Sequence, residues 1–169
     1  MDAPIERLVV RIGGLSRERL RADLHAHGVR LNEHADTLLA GSAFDGRAAR
    51  SITVSECAVA DLGLPDGAPL SRIFEAARLQ VFSLCPADTA PYLRLAVRER
   101  VGSTGSLRST GRAPDGALTV ASDLISDNDA YPKGFYLRSV GDEPWLRGYR
   151  CDEEHIWSPE DRFVFRVVD

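Results

Sequence analysis

The sequence predicts an α+β fold, in which two or three N-terminal helices pack on one face of a mostly antiparallel sheet of about five strands. Two observations support this fold class. Helical spacing of apolar residues dominates the first half of the chain, and alternation of apolar and polar residues dominates the second half. No helical pattern separates the last predicted strands, so short antiparallel connections are expected. The 169 residues fit a single domain, 1–169, that needs no disulfide or metal to fold.

The first predicted elements are a short strand over residues 5–12 and an amphipathic helix. Ser16 is a suitable N-cap for this helix. Leu20 and Leu24 lie four residues apart and therefore share one helix face. Gly28 can end the helix, because glycine readily adopts the left-handed conformation found at helix C-termini.

The middle of the chain contains two more predicted helices and two predicted strands. Asn32 can cap a second helix that stops at Gly41, and apolar spacing predicts a third helix over residues 70–79. Residues 52–59 and 92–97 are predicted as strands, and the second of these segments alternates clearly.

Strands dominate the rest of the chain, after a segment of a different composition. Residues 102–116 are rich in glycine, serine and arginine, which predicts a mobile loop. Four strands are predicted beyond it, at residues 118–122, 134–140, 145–150 and 162–168.

The composition argues against several classes of function. The net charge of −4 gives no reason to expect nucleic acid or an anionic membrane as a partner. No apolar run is long enough to cross a membrane. The three cysteines form no CxxC pair, which favours a reducing, cytoplasmic compartment. Lys133 is the only lysine among 21 basic residues, a bias that indicates a high-GC bacterial genome.

The strongest pattern is a repeated combination of arginine with tyrosine or tryptophan on three predicted strands. Because side chains alternate along a strand, each strand puts aliphatic residues on one face and this combination on the other. A four-residue loop at 141–144 would place Arg138 opposite Arg147, and the two would repel unless an anion lay between them. The predicted ligand-binding surface has these members: Tyr92, Arg94, Tyr136, Arg138, Trp145, Arg147 and Tyr149.

Three interpretations of this surface remain open. It can be a solvated sheet face with cross-strand pairs, a concave site for a small molecule, or a protein-binding surface rich in tyrosine, tryptophan and arginine. Because the guanidinium fork binds oxyanions bidentately, a small ligand would be organic and either anionic or aromatic.

Three residues are candidates for catalysis. His34 can act as a general base if a neighbouring carboxylate orients it. Cys151 and His155 can act as nucleophile and base, but only if the two side chains meet in space. The alternative for that pair is an exposed polar loop.

Neither a metal nor a cofactor is expected. His25 and His27 are two residues apart and therefore point to different sides of a helix, so they form no metal pair unless the helix ends between them, as Gly28 would allow. The chain has no phosphate-binding glycine motif and no nucleophile elbow.

Several short motifs resemble a family of small, uncharacterised bacterial proteins. The motifs are Leu84-Cys85-Pro86, Leu93-Arg94-Leu95, Thr119-Val120-Ala121-Ser122, Gly134-Phe135-Tyr136-Leu137-Arg138 and Trp145-Leu146-Arg147-Gly148-Tyr149. The similarity runs from about Leu20 to the C-terminus. Members are sometimes labelled helicase, but this chain has no Walker motif. The resemblance implies no activity and no catalytic residue, and it implies only that the strands with arginine and aromatic residues carry the family's motifs.

We therefore expect a cytoplasmic protein that binds a small organic ligand, either anionic or carbonyl-bearing. One form of this function is a cofactor-independent biosynthetic enzyme, such as an isomerase, a cyclase or a hydrolase. The alternative is a non-enzymatic protein-protein interaction module that uses the same surface. The sequence does not predict the oligomeric state.

Overall fold

The computed structural model of the protein describes residues 5–45, 48–97 and 117–168. The segment 102–116, predicted as a mobile loop, lies outside the described residues. The described part combines helices with one large sheet, so the α+β prediction is confirmed.

One sheet of eight strands organises the described part of the chain. Its strands are β1 Leu8–Ile12, β2 Arg30–Leu31, β3 Arg50–Ala58, β4 Phe82–Ser83, β5 Leu118–Val120, β6 Gly134–Val140, β7 Glu143–Tyr149 and β8 Arg162–Val167. Their order is β1-β3-β8-β5-β6-β7-β2, and β4 pairs with the end of β8. The β5–β8 and β2–β7 pairs are parallel, whereas the other pairs are antiparallel.

The prediction of about five mostly antiparallel strands is wrong, because the sheet is larger and mixed. β2 and β4 contain two residues each, too few for a period-two signal in the sequence. The parallel β5–β8 pair follows from residues 150–161, which carry the chain back along the sheet before β8 begins. This return contains no helix, so the sequence pattern did not indicate a crossover.

Within the described residues there are four α-helices: α1 Arg17–Ala26, α2 Glu33–Leu39, α3 Leu70–Arg78 and α4 Thr89–Ala96. Ser16 and Asn32 cap α1 and α2 as predicted, since their side-chain oxygens accept hydrogen bonds from the backbone N–H groups of Arg19 and Ala35. Gly28 follows α1 with a φ of 75°, which strains glycine least. The third predicted helix is α3.

The prediction of a strand over residues 92–97 is wrong, because residues 92–96 belong to α4 and Val97 is its C-cap. Ala90, Leu93 and Val97 recur at spacings of three and four residues, and all three pack in or against the core. The leucines of this segment also alternate as those of a strand do, so a stretch this short fits both periods. Pro91 lies in the first turn of α4, where its missing N–H is not needed.

Helices cover both faces of the sheet rather than one, and each face has its own hydrophobic core. Leu93 of α4 packs in the first core together with residues of α1 and α2, whereas Ile73 of α3 packs in the second core. β8 separates the two cores, because Val164 joins the first core while Phe163 and Phe165 join the second. Successive side chains of β8 therefore point alternately into the two cores.

The second core covers only part of its face of the sheet. It includes Phe163 and Phe165 of β8 and Cys57 of β3. Among the described residues, β6 contributes no member to this core, and β7 contributes only Tyr149 at its margin. The rest of that face on β6 and β7 carries the predicted arginine and aromatic side chains.

Candidate ligand-binding surface

β6 and β7 form a hairpin with a two-residue turn, Gly141 and Asp142, because Val140 pairs with Glu143. Gly141 has a φ of 61°, as such tight hairpin turns require. The predicted four-residue loop is wrong, since Glu143 and Pro144 belong to β7. The register is therefore shifted by two residues, which keeps every side chain on its predicted face.

The observed register pairs each arginine with an aromatic residue instead of with another arginine. Arg138 lies opposite Trp145, and Tyr136 lies opposite Arg147. The guanidinium carbon of Arg147 is 5.8 Å from the ring centre of Tyr136 and 5.3 Å from that of Trp145. Both distances allow cation–π attraction, so the hairpin avoids the like-charge pair that the longer loop would have produced.

We call Tyr136, Arg138, Trp145 and Arg147 the arginine surface. The parallel β2–β7 pair extends it, because Arg30 lies opposite Trp145 on the other side of β7. Arg30, Trp145 and Arg138 thus form one row across three strands. The guanidinium carbon of Arg30 is also 5.3 Å from the ring centre of Trp145. One indole is therefore surrounded by three arginines.

The charges on the two sides of Trp145 differ. Arg30 forms an ion pair of 2.9 Å with Glu143. Arg147, in contrast, has no ion pair within the described part of the chain, and its Nε is buried with no hydrogen-bond partner there. The indole Nε1 of Trp145 is in the same situation. Burial lowers the pKa of Arg138, and the positive charge of Arg147 lowers it further, while Tyr136 opposes this shift.

An open groove of about 520 Å³ lies beside the arginine surface, at the β2 edge of the sheet. Trp145 belongs both to the groove and to the arginine surface. The groove is lined by Arg21, His25, Gly28, Val29, Arg30, Leu31, Glu143 and Trp145. A volume of this size is in the range typical of small-molecule sites.

Arg94 is not on the arginine surface, although the sequence predicted it there. It is fully buried on α4, and its guanidinium donates hydrogen bonds to the backbone carbonyls of Val97, Arg138 and Trp145. Burial lowers its pKa to about 10, so it remains charged at neutral pH. Arg94 thus fastens α4 to the back of the β6–β7 hairpin.

The two remaining tyrosines of the predicted set are also elsewhere. Tyr92 lies on α4, half-buried against the first core, and burial raises its pKa. Tyr149 shares the strand face of the arginine surface, but its ring packs at 5.5 Å against that of Trp157. Burial raises the pKa of Tyr149 as well. Of the seven predicted residues, the structure therefore brings four together on one surface.

The structure does not place the candidate catalytic residues on the arginine surface. His34 lies on α2, which packs with the first core on the opposite face of the sheet. The ring of the exposed His155 contacts that of Trp157, with 5.2 Å between their centres. No hydrogen bond joins Cys151 to His155 in the described structure, and burial raises the pKa of the Cys151 thiol to about 11.

Sequence reasoning missed Arg30 and Glu143. Arg30 stands in a two-residue strand whose partner is more than a hundred residues away, and its hydrogen bond to Glu143 spans 113 positions. No local pattern could have indicated this pairing. The position of Glu143 was obscured by the adjacent Pro144, which favours a turn.

The described residues contain no group of three or more histidine, cysteine, aspartate or glutamate side chains that could hold a metal ion. None of the helices in the described ranges has the length and apolar character needed to span a bilayer.

Comparison of the chain with protein-family models, with curated proteins and with solved structures finds no match. The resemblance of the strand motifs to a family of small bacterial proteins therefore stays a prediction. Function has to be inferred from the chemistry of the surface alone.

Proposed function

We propose that the protein binds a small organic anion on the arginine surface. The observation that carries this proposal is the position of Arg147, which lies between the rings of Tyr136 and Trp145 and has no acidic partner within the described residues. A guanidinium in such a place has donors that can bind a carboxylate or phosphate oxygen. The opposing Arg138 and Trp145 extend the same surface.

The shape beside the surface supports a ligand of limited size. The groove of about 520 Å³ can take a molecule of metabolite size, but it is too small for a folded domain. Aromatic walls with a few polar groups are typical of small-molecule sites. Trp145 connects the groove to Arg147, so one ligand can contact both.

A more specific version of this proposal is that the protein also catalyses a reaction of the bound ligand. Arginines can stabilise negative charge that develops on a carbonyl oxygen, as an isomerase, cyclase or hydrolase without a cofactor would require. His34 lies on the other side of the sheet, and Cys151 and His155 follow β7 beside the second core. Because no proton-transfer group of the candidate set stands at the surface, binding is the function that the geometry supports best.

A protein-protein interaction module is the second candidate. Its support is the composition of the surface, since tyrosine, tryptophan and arginine contribute most to binding energy at protein interfaces. All four side chains of the arginine surface are half-buried, as those of a partly covered interface in the free protein can be. A second copy of this chain is the partner that can be tested directly.

Calorimetric titration of the purified protein at low salt with benzoate, citrate and glucose 6-phosphate tests the first proposal. We expect at least one of these anions to bind saturably. The double variant Arg138→Met/Arg147→Met should weaken this binding by about tenfold to a hundredfold, as the loss of one or two charged hydrogen bonds predicts. Arg72→Met is the matched control, because Arg72 lies on α3, outside β6 and β7, and its ion pair is with Glu75.

Two results would overturn the proposal: absence of binding by all three anions, or binding that the double variant leaves unchanged. Sedimentation of the same two proteins tests the second candidate. A wild-type dimer that the double variant converts to a monomer would favour the interaction module.

A further inference from the structure

We infer that the ligand is an aromatic monocarboxylate, whose uncharged ring occupies the groove and whose carboxylate faces Arg147. This inference rests on the proposed function and adds the chemical class and the orientation of the ligand. It follows from the distribution of charge on the two sides of Trp145.

The groove has no guanidinium that lacks an acidic partner. Arg21 donates to the carboxylate of Asp36 at 2.9 Å and to its backbone carbonyl at 2.8 Å. Arg30 is paired with Glu143 at 2.9 Å. A carboxylate placed in the groove would therefore meet Glu143 without an arginine free to compensate its charge. Because its arginines are already paired, the groove attracts the charged end of a ligand less than Arg147 does.

The remaining lining of the groove suits an uncharged ring. Val29 and Leu31 contribute apolar side chains, and Trp145 contributes an indole. Gly28 leaves additional room, because a β-carbon at this position would meet no atom within 4 Å. A planar ring can meet the edge of an indole, and such a contact adds to the free energy gained by burying the ring.

The other side of Trp145 has the opposite character. Arg147 carries a positive charge with no ion pair in the described part of the chain, and it lies 5.3 Å from the centre of the same indole as Arg30. A ligand that reaches across Trp145 therefore passes from a charge-balanced groove to an unbalanced guanidinium. Only a molecule with one apolar end and one anionic end matches both sides.

The inference is tested with four compounds that differ in one property each. 2-Naphthoate has the ring and one carboxylate, acetate lacks the ring, 2-naphthylmethanol lacks the charge, and 2,6-naphthalenedicarboxylate has a second charge. Titration by calorimetry should rank 2-naphthoate at least about tenfold above each of the other three. The chain has two tryptophans, so its NMR spectrum has two indole N–H signals, and only the signal lost in Trp145→Phe should shift on binding.

One substitution should reduce the preference for a single charge. Glu143→Gln removes the groove carboxylate and leaves Arg30 without its partner, so the dicarboxylate should bind about tenfold more tightly than it binds the wild type. Asp142→Asn is the matched control, because it removes the same charge from the adjacent, exposed turn position. Asp142→Asn should leave the ranking of the four compounds unchanged.

The outcomes separate the inference from the function on which it rests. If acetate binds as tightly as 2-naphthoate, and Arg138→Met/Arg147→Met abolishes both, the anion site stands and the aromatic class is wrong. If Asp142→Asn changes the dicarboxylate affinity as much as Glu143→Gln does, the assigned orientation is wrong. If no anion binds at all, the proposed function fails, and the inference fails with it.

Discussion

The same face of the sheet has two halves that differ in cover. Over β8, Phe163 and Phe165 are fully buried beneath α3 and Trp157. Over β6 and β7, the half-buried Tyr136 and Arg147 occupy equivalent strand positions outside the second core. The strand geometry is alike in both halves, so the difference lies in the side chains and in what covers them.

This difference shows what each half is suited to do. Phenylalanine has no polar atom, so its ring is stable only where other apolar groups exclude water. Arginine and tyrosine combine apolar parts with polar ends that can remain hydrated. The covered half can therefore contribute stability, whereas the half outside the second core keeps side chains that remain partly exposed in the described structure.

The largest expected effect is on stability in the covered half. Phe163→Ala should lower the free energy of unfolding by about 3–5 kcal/mol, as for other fully buried aromatic residues. Tyr136→Ala, on the same face of a neighbouring part of the sheet, should cost less than about 1.5 kcal/mol, because its side chain is already partly hydrated. Urea denaturation of both variants measures the difference. Equal losses would contradict the distinction between the two halves.

A second comparison uses two arginines that the sequence placed on one surface. Arg94→Met removes the guanidinium that donates to three part-buried carbonyls and should cost about 2–4 kcal/mol. Among the contacts of the described residues, Arg147→Met removes cation–π contacts alone, and it should cost less than about 1 kcal/mol. Thermal unfolding of the two variants is the measurement. A loss for Arg147→Met as large as that for Arg94→Met would show that Arg147 is structural.

A smaller loss is expected where α2 contacts β7. A β-carbon on Gly148 would lie 2.6 Å from the backbone carbon of His34 and 2.8 Å from the backbone nitrogen of Ala35. Gly148→Ala should therefore push α2 away and cost about 1–3 kcal/mol. Gly141→Ala is not a suitable control, because the positive φ of Gly141 would itself strain an alanine. Ala96→Gly, at the exposed end of α4, shows instead what the gain or loss of one methyl group costs away from this contact. Urea denaturation that finds Gly148→Ala as stable as wild type would contradict this packing.

The smallest effect concerns the Cys151 thiol, and it is kinetic. Since burial raises the pKa of this thiol to about 11, the thiolate fraction should rise about tenfold per pH unit between about pH 8 and pH 10. Alkylation by iodoacetamide, located by mass spectrometry, should accelerate in the same proportion without reaching a plateau. Cys151→Ser identifies the labelled site. A plateau near neutral pH would restore Cys151 as a candidate nucleophile.

Local features of the sequence predicted local features of the structure. The caps at Ser16 and Asn32 and the alternation on β6 and β7 depend on neighbouring residues alone, and all of them are present. Four members of the predicted surface could be found in this way because strand alternation survives a register shift of two residues.

Features that depend on distant parts of the chain could not be predicted. The two-residue strand β2 is defined by its pairing with β7. The segment of α4 was predicted as a strand because a helix of eight residues is short enough to fit both the helical and the strand period of apolar residues. Pro144 suggested a turn, yet it stands in β7 just before the pairing with β2 begins. An open edge tolerates a residue without an N–H.

The side chain of Asn32 joins two segments that are far apart in the sequence. Its Nδ2 donates to the carbonyl of Gly148 at 3.0 Å, and its Oδ1 accepts from the N–H of Gly148 at 2.8 Å, across 116 positions. The amide thus imitates a strand backbone after β2 has ended. The groove likewise combines residues 21–31 with Glu143 and Trp145, so it cannot form before the chain has been synthesised as far as β7. Binding of the proposed ligand would therefore report that these two distant segments have come together.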